Sequence, residues 1–78
     1  MMTDIYAAAD EIEAGRIVAF LLAEGIHATR DTEIAAPPYP SALDRRLVSV
    51  LEEQKESAVA KIKEARRDAV ISSQGAFL

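Results

Sequence analysis

The stretch Arg46-Leu47-Val48-Ser49-Val50-Leu51-Glu52-Glu53 decides which fold this sequence predicts, because it supports two interpretations. Between residues 43 and 69, a range that includes this stretch, apolar residues recur at three- and four-residue steps, a spacing typical of one long helix. They are Leu43, Leu47, Leu51, Ala58, Ile62, Ala65 and Ala69. β-Branched residues around a serine instead favour a strand at 46–51. The acids that follow, with bases further on, favour a new helix beginning near Glu53. Periodicity alone leaves these two interpretations open.

The N-terminal part of the chain predicts a strand followed by a helix. A short strand is predicted at 3–8, where apolar and aromatic residues are found together. Asp10 stands three residues before Glu13, a spacing in which its side chain can cap a helix by accepting a hydrogen bond from the Glu13 amide. The helix is expected to run to Glu24. Gly25 and the apolar residue after it predict a Schellman ending, since glycine readily adopts the left-handed conformation there.

The remaining segments are shorter and more polar. A second strand is predicted at 27–34, at an edge of the sheet, followed by a proline-rich connection at 35–42. The closing residues predict either a last short strand or a mobile tail at 72–78. The length suits one domain covering residues 1–78.

Two blocks of the sequence resemble those of a known family. The first is Ile5-Tyr6, then Ile12-Glu13-Ala14, Leu21-Leu22 and Gly25-Ile26; the second is Val48-Ser49-Val50-Leu51-Glu52-Glu53, then Ala58 and Ile62. In this order, between residues 4 and 66, they resemble a bacterial family of prokaryotic signal-transducing proteins. That family usually has proline at the position of Leu51.

The resemblance implies an α+β, ferredoxin-like split βαβ fold. The expected order is βαββα, with or without a short fourth strand, and two helices cover one face of a small sheet. The implied shape is related to that of nitrogen-regulatory trimers. The resemblance implies no catalytic residue and no known ligand, and it favours the strand interpretation of 46–51.

The residue inventory predicts no catalytic, cofactor-binding or metal site. The chain has no cysteine, and its one histidine, His27, has no metal-ligating residues at useful spacing. The serines lack any nucleophile motif. Asp10, Glu11 and Glu13 are explained by helix capping and by the favourable effect of acids at a helix N-terminus. A small enzyme that uses these carboxylates is the least favoured interpretation.

Charge and hydropathy limit the partners that we expect. The formal charge is -4, with 13 acids and 9 bases, so the sequence predicts no nucleic-acid partner. The longest apolar run, 17–23, is too short to span a bilayer, and we expect no membrane partner and no leader segment. The default location is the cytoplasm. A domain of this size buries only about 60 to 65 % of the surface of its unfolded chain on folding. Self-association is therefore the expected aid to stability.

The first helix carries more apolar surface than one sheet face requires. With Ile12 at zero on a helical wheel, the apolar arc spans about 200°, against roughly 100° for an ordinary surface helix. In order around the wheel it contains Leu21, Ala14, Val18, Leu22, Gly15, Ala19 and Ala23. Phe20 lies outside this arc, where either the proline-rich connection or another chain could cover it. The candidate partner-contact residues are Arg16, Val18, Phe20 and Leu22 in the helix, Tyr39 in the connection, and Phe77 and Leu78 at the terminus.

The preferred functional interpretation is a non-catalytic binding or regulatory domain that acts through contacts with a protein partner or with itself, as a homo-oligomer. A small-molecule effector of unknown identity is compatible with it. The alternative is a phage-encoded acidic inhibitor that masks a basic surface of a host defence complex. The sequence leaves both open.

Overall fold

The computed structural model describes residues 1–30, 32–33, 43–44 and 46–78. Strand β1 is Met2–Ala7 and helix α1 is Glu11–Ala23; strands β2 (Ala28–Thr29), β3 (Thr32–Glu33) and β4 (Leu43–Asp44) follow. Strand β5 is Leu47–Leu51, a 3₁₀ turn at Glu52–Gln54 leads into helix α2 (Lys55–Arg67), and strand β6 is Ala76–Phe77. The predicted connection at 35–42 lies outside the described residues.

Four strands form one antiparallel sheet in the order β2-β5-β1-β6. Strand β5 is inserted between β1 and β2, as in a ferredoxin-like split βαβ fold. The predicted α+β fold is therefore confirmed, and β6 is its fourth strand. The strand predicted at 46–51 is confirmed as β5, so the alternative of one continuous helix through this region is wrong.

The strand predicted at 27–34 is shorter than expected. Of the described residues in this segment, Ala28–Thr29 alone joins the sheet, as the edge strand β2. Thr32–Glu33 pairs with Leu43–Asp44 in a separate two-stranded ladder. The polarity of this segment explains the difference, because a strand with few apolar side chains gains little by extending along the sheet.

The centre of the sheet is the pairing of β1 with β5. Val48 and Val50 are fully buried, and Tyr6 lies opposite Val48. The register shifts between Asp4 and Tyr6, which marks a bulge. Because a bulge adds one residue to its strand, the consecutive residues Ile5 and Tyr6 both point into the core instead of alternating between the two faces.

The ends of α1 follow the sequence prediction. Asp10 caps the helix, since its Oδ1 accepts a hydrogen bond from the Glu13 amide at 2.7 Å. At the other end, the Ile26 amide donates to the Leu21 carbonyl at 2.9 Å, and Gly25 has a φ of 80°. These are the bond and the left-handed conformation of a Schellman ending.

Each helix buries one narrow stripe against the sheet. The buried residues are Ala14, Ile17 and Leu21 in α1, and Ala58, Ile62 and Ala65 in α2. The predicted apolar arc of α1 omitted Ile17, which is buried, and included Leu22, which is exposed. The sequence shows which positions around the helix are apolar. Which of these positions are buried depends on the side of the helix that packs against the sheet.

The segment before β6 packs directly on β1. A Cβ atom added to Gly75 would lie 2.6 Å from the Ala7 carbonyl oxygen and 2.6 Å from the Tyr6 hydroxyl oxygen. No side chain fits at that distance, so Gly75 is required for the close approach. Gly15, inside α1, has no such restriction, because its nearest neighbour would be Arg30 at 3.9 Å.

The Tyr6 hydroxyl is buried, and none of the residues that the structure describes is its hydrogen-bond partner. Burial raises the pKa of this phenol above its ordinary value of 10.0, the nearby Arg66 guanidinium lowers the pKa, and the Glu13 carboxylate raises it. The net direction is upward because removing a phenolate from water is costly. The neutral phenol is therefore the form that the fold stabilises.

We expect the same substitution at the two glycines to have opposite effects. Gly75→Ala should lower the free energy of unfolding by about 2 kcal/mol, because the methyl group displaces β6 from β1. Gly15→Ala should raise it by up to about 1 kcal/mol, because alanine favours a helix. Urea unfolding followed by circular dichroism measures both. Equal stability of Gly75→Ala and the unsubstituted protein would contradict the close approach.

Tyr6→Phe should stabilise the protein by about 1 kcal/mol at neutral pH, since it removes an unsatisfied buried hydroxyl. It should also change the pH dependence. Because the Tyr6 pKa is raised in the folded state, ionisation of this phenol favours unfolding. The neutral phenol therefore keeps the full stability of the fold below the unfolded pKa of 10.0, and that stability is lost as the pH rises through the folded pKa. Urea unfolding from neutral to alkaline pH should therefore show a steeper loss of stability with Tyr6 than with phenylalanine. Parallel profiles would contradict this.

Candidate functional site

The side of α1 that faces away from the sheet is apolar. Ile12 is 71 % exposed and Leu22 is 53 % exposed, and Ala19 between them is exposed as well. Ile12, Gly15, Ala19 and Leu22 follow the spacing i, i+3, i+7 and i+10, which places them along one face of a helix. We call these four residues the outer α1 stripe. Two large apolar ends and a small centre give it a nearly symmetrical profile.

Two arginines flank the outer α1 stripe. Arg30 lies beside Gly15, and its Nη1 donates to the Glu11 carbonyl at 3.2 Å. Arg16 lies on the opposite flank, is exposed, and has no ion pair with any residue that the structure describes. The stripe is therefore bordered by positive charge in a chain whose formal charge is -4.

The other candidate residues of α1 lie nearer the core. Val18 and Phe20 are partly buried and pack against the core cluster. The core of this chain therefore already covers part of the Phe20 side chain, and the rest is exposed to solvent. Leu22 belongs to the outer α1 stripe. The candidate in the connection, Tyr39, lies outside the described residues.

The C-terminal candidates differ in their surroundings. Phe77 is half-buried in β6 and meets the Tyr6 ring edge-on, with 4.9 Å between ring centroids and 73° between planes. The Arg66 guanidinium lies over the same Phe77 ring at 5.6 Å. Leu78 donates its amide to the Ile5 carbonyl at 3.0 Å, while its side chain is 66 % exposed. The contact role of both residues stays a prediction.

The acidic groups near the start of α1 take part in local structure. Asp10 caps the helix, and Glu13 Oε1 accepts from the Ser72 amide at 2.7 Å. The exposed His27 donates its backbone amide to Gln54 Oε1 at 2.9 Å. Within residues 1–30, 32–33, 43–44 and 46–78, no group of three or more His, Cys, Asp or Glu side chains is placed to hold a metal ion.

Sequence reasoning did not select Ile12, Arg30 or Arg66. The spacing of Ile12 with Leu22 is visible in the sequence, but choosing it requires knowing that Ala14 and Ile17 face the sheet. Arg66 gives no sequence signal of its own. It stands in an ordinary run of mixed charges, and its position beside Tyr6 and Phe77 follows from the tertiary fold.

No helix in the part of the chain that the structure describes is long and apolar enough to cross a membrane. Comparison with protein-family models, with curated proteins and with solved structures gives no match for this chain. The resemblance to prokaryotic signal-transducing proteins therefore stays a prediction, and the outer α1 stripe is the feature on which a functional proposal can be built.

Proposed function

We propose that this chain is a non-catalytic binding domain that acts through protein–protein contacts, and that its first contact is with a second copy of itself through the outer α1 stripe. One observation carries the proposal: Ile12 and Leu22 leave large apolar side chains in solvent on the same outward face of α1. Exposed apolar surface of this kind is favourable to cover, because its burial removes water from hydrocarbon.

The order of residues in the stripe suits a two-fold axis. In a symmetrical interface, residue i of one copy contacts residue j of the other and the reverse. Suppose that two α1 helices pack antiparallel, with the two copies of Ile17 at the same height along the helix axes. Ile12 of each copy then meets Leu22 of the other, and Gly15 meets Ala19. The small residues allow the helix backbones to approach in the middle, while the large residues close both ends. This spacing is that of a short coiled-coil seam.

The expected affinity is modest. Burying one isoleucine or leucine contributes about 2 kcal/mol, and the proposed interface holds four such side chains. Much of this gain is offset by the freedom lost on association. We therefore expect a dimer that forms at about 10 to 100 µM. A small domain with two-residue edge strands also gains stability from such a contact.

The proposal includes a regulatory role, in keeping with the resemblance to signal-transducing proteins, and a cytoplasmic location, which is the default expectation from the sequence. The nature of any further protein partner follows from the same surface: an apolar helix face bordered by Arg16 and Arg30 is compatible with an acidic partner. The alternative of an acidic inhibitor that masks a basic surface stays a prediction from net charge.

Neutral polar substitutions in the stripe should abolish self-association. Ile12→Gln and Leu22→Gln each replace an apolar contact without changing charge, so sedimentation equilibrium should show monomers at concentrations where the unsubstituted chain is a dimer. Val70→Gln is the matched control, because Val70 is 60 % exposed but lies outside α1. A chain that is monomeric at about 100 µM, or a Val70→Gln variant that dissociates equally, would contradict the proposal.

A cross-linking experiment tests the two-fold geometry directly. The chain has no cysteine, so Ala19→Cys introduces a single reactive thiol near the proposed axis. A short bifunctional maleimide should join two Ala19→Cys chains efficiently, and should join Ser57→Cys chains poorly, because Ser57 is exposed on α2, which is not part of the outer α1 stripe. Equal yields for the two variants would rule out the antiparallel α1 pairing.

A further inference from the structure

A cleft of about 440 Å³ lies between the start of α1 and the segment that follows α2. Glu13 and Arg16 border it from α1, Arg66 borders it from α2, and residues 69–74 close the remaining side. Ala69 has a positive φ of 59°, so the chain turns sharply there and returns along the cleft. The volume falls within the range of about 300 to 1,000 Å³ typical of small-molecule sites.

The Arg66 guanidinium makes three contacts beside this cleft. It lies 5.8 Å from the centroid of the Tyr6 ring and 5.6 Å from that of Phe77, and its Nη2 donates to the Ser73 carbonyl at 3.1 Å. Arg66 is half-buried and has no carboxylate within ion-pair distance among the described residues. A guanidinium has five N–H donors in a planar fork, so further donors are available to a ligand.

The charge of the cleft is opposite to that of the chain. Two guanidinium groups, Arg16 and Arg66, and one carboxylate, Glu13, give a formal charge of +1, whereas the whole chain carries -4. Glu13 already accepts the Ser72 amide at 2.7 Å. The Arg16 and Arg66 side chains are therefore the groups available for an anion, and the Ser72 and Ser73 residues stand beside them.

We propose that this cleft binds the oxyanion group of a small molecule, a carboxylate or a phosphate, between the guanidinium groups of Arg16 and Arg66. Charge-assisted hydrogen bonds from arginine to these groups are short and strong, and the planar fork matches their paired oxygens. The aromatic rings beneath Arg66 restrict its motion before a ligand arrives, so little rotamer freedom is lost on binding. The site goes beyond the proposed self-association and does not depend on it.

The experiment is a titration of ¹⁵N-labelled protein with inorganic phosphate or succinate at constant ionic strength, followed by amide chemical shifts. The Leu22→Gln variant is used beside the unsubstituted chain, since it lacks the proposed dimer contact and leaves the cleft intact. We expect saturable shifts at residues 69–74 with a Kd of about 1 mM in both proteins. The tighter of the two probes identifies the preferred oxyanion.

Variants assign the binding to the two arginines. Arg16→Ala, at an exposed position, should weaken binding about tenfold. Arg66→Lys keeps the charge but loses the planar fork, and should also weaken binding several-fold. Arg67→Ala is the matched control: it removes the same charge from the neighbouring residue, whose Nε contacts Asp68 at 3.4 Å and which does not border the cleft. Circular dichroism confirms that each variant is folded.

Three results would overturn the proposal. The first is the absence of saturable shifts up to about 50 mM of either probe. The second is an equal loss of affinity in Arg67→Ala and Arg16→Ala, which would show that only the overall charge matters. The third is a saturable response at residues outside the cleft and none at 69–74.

Discussion

The insertion of β5 between β1 and β2 is the constraint on which the rest of this structure depends. Val48 and Val50 have no exposed surface, and each hydrogen-bonded neighbour of β5 is antiparallel to it. Since β1 and β2 flank β5 on opposite sides, the connection through α1 must cross one face of the sheet. The connection from β5 through α2 to β6 is a second crossover between parallel strands, and because both crossovers are expected to be right-handed, α2 packs on the same face as α1. On the opposite face, the Ser49 hydroxyl donates to the Asp4 carboxylate, which links β5 to β1 by side chains as well.

The same constraint produces the surface to which we assign function. A sheet with two-residue edge strands offers a narrow face, so α1 can bury only the stripe of Ala14, Ile17 and Leu21. The apolar residues on the outward side have no sheet to cover them. The exposed stripe is thus a consequence of a helix with more hydrocarbon than this small sheet can accept. An ion pair between Lys61 and Glu24 at 2.9 Å joins the two helices at one end and leaves the outward side of α1 unaffected.

The C-terminal segment connects the fold with the cleft. Strand β6 is only two residues long, yet Gly75 lets it approach β1 closely, and Phe77 then completes an aromatic pair with Tyr6. Arg66 rests against this pair, because a guanidinium is favourably placed over an aromatic face. The aromatic contact that stabilises the terminus therefore also positions the cation that borders the cleft. The structural contact and the proposed anion binding therefore involve the same side chain, Arg66.

The sequence by itself determined the features that depend on neighbours along the chain. Both ends of α1 follow from Asp10, Glu13 and Gly25, and a strand-then-helix order after residue 46, which the family resemblance favoured over a long helix, is what the structure has. Only the tertiary structure decided the bulge that buries both Ile5 and Tyr6, the face of α1 that meets the sheet, and the position of Arg66. Caps and turns are set by hydrogen bonds within a few residues, so a local pattern reveals them. Bulges, buried faces and ring contacts are set by packing between distant segments, whose relative positions no local pattern contains.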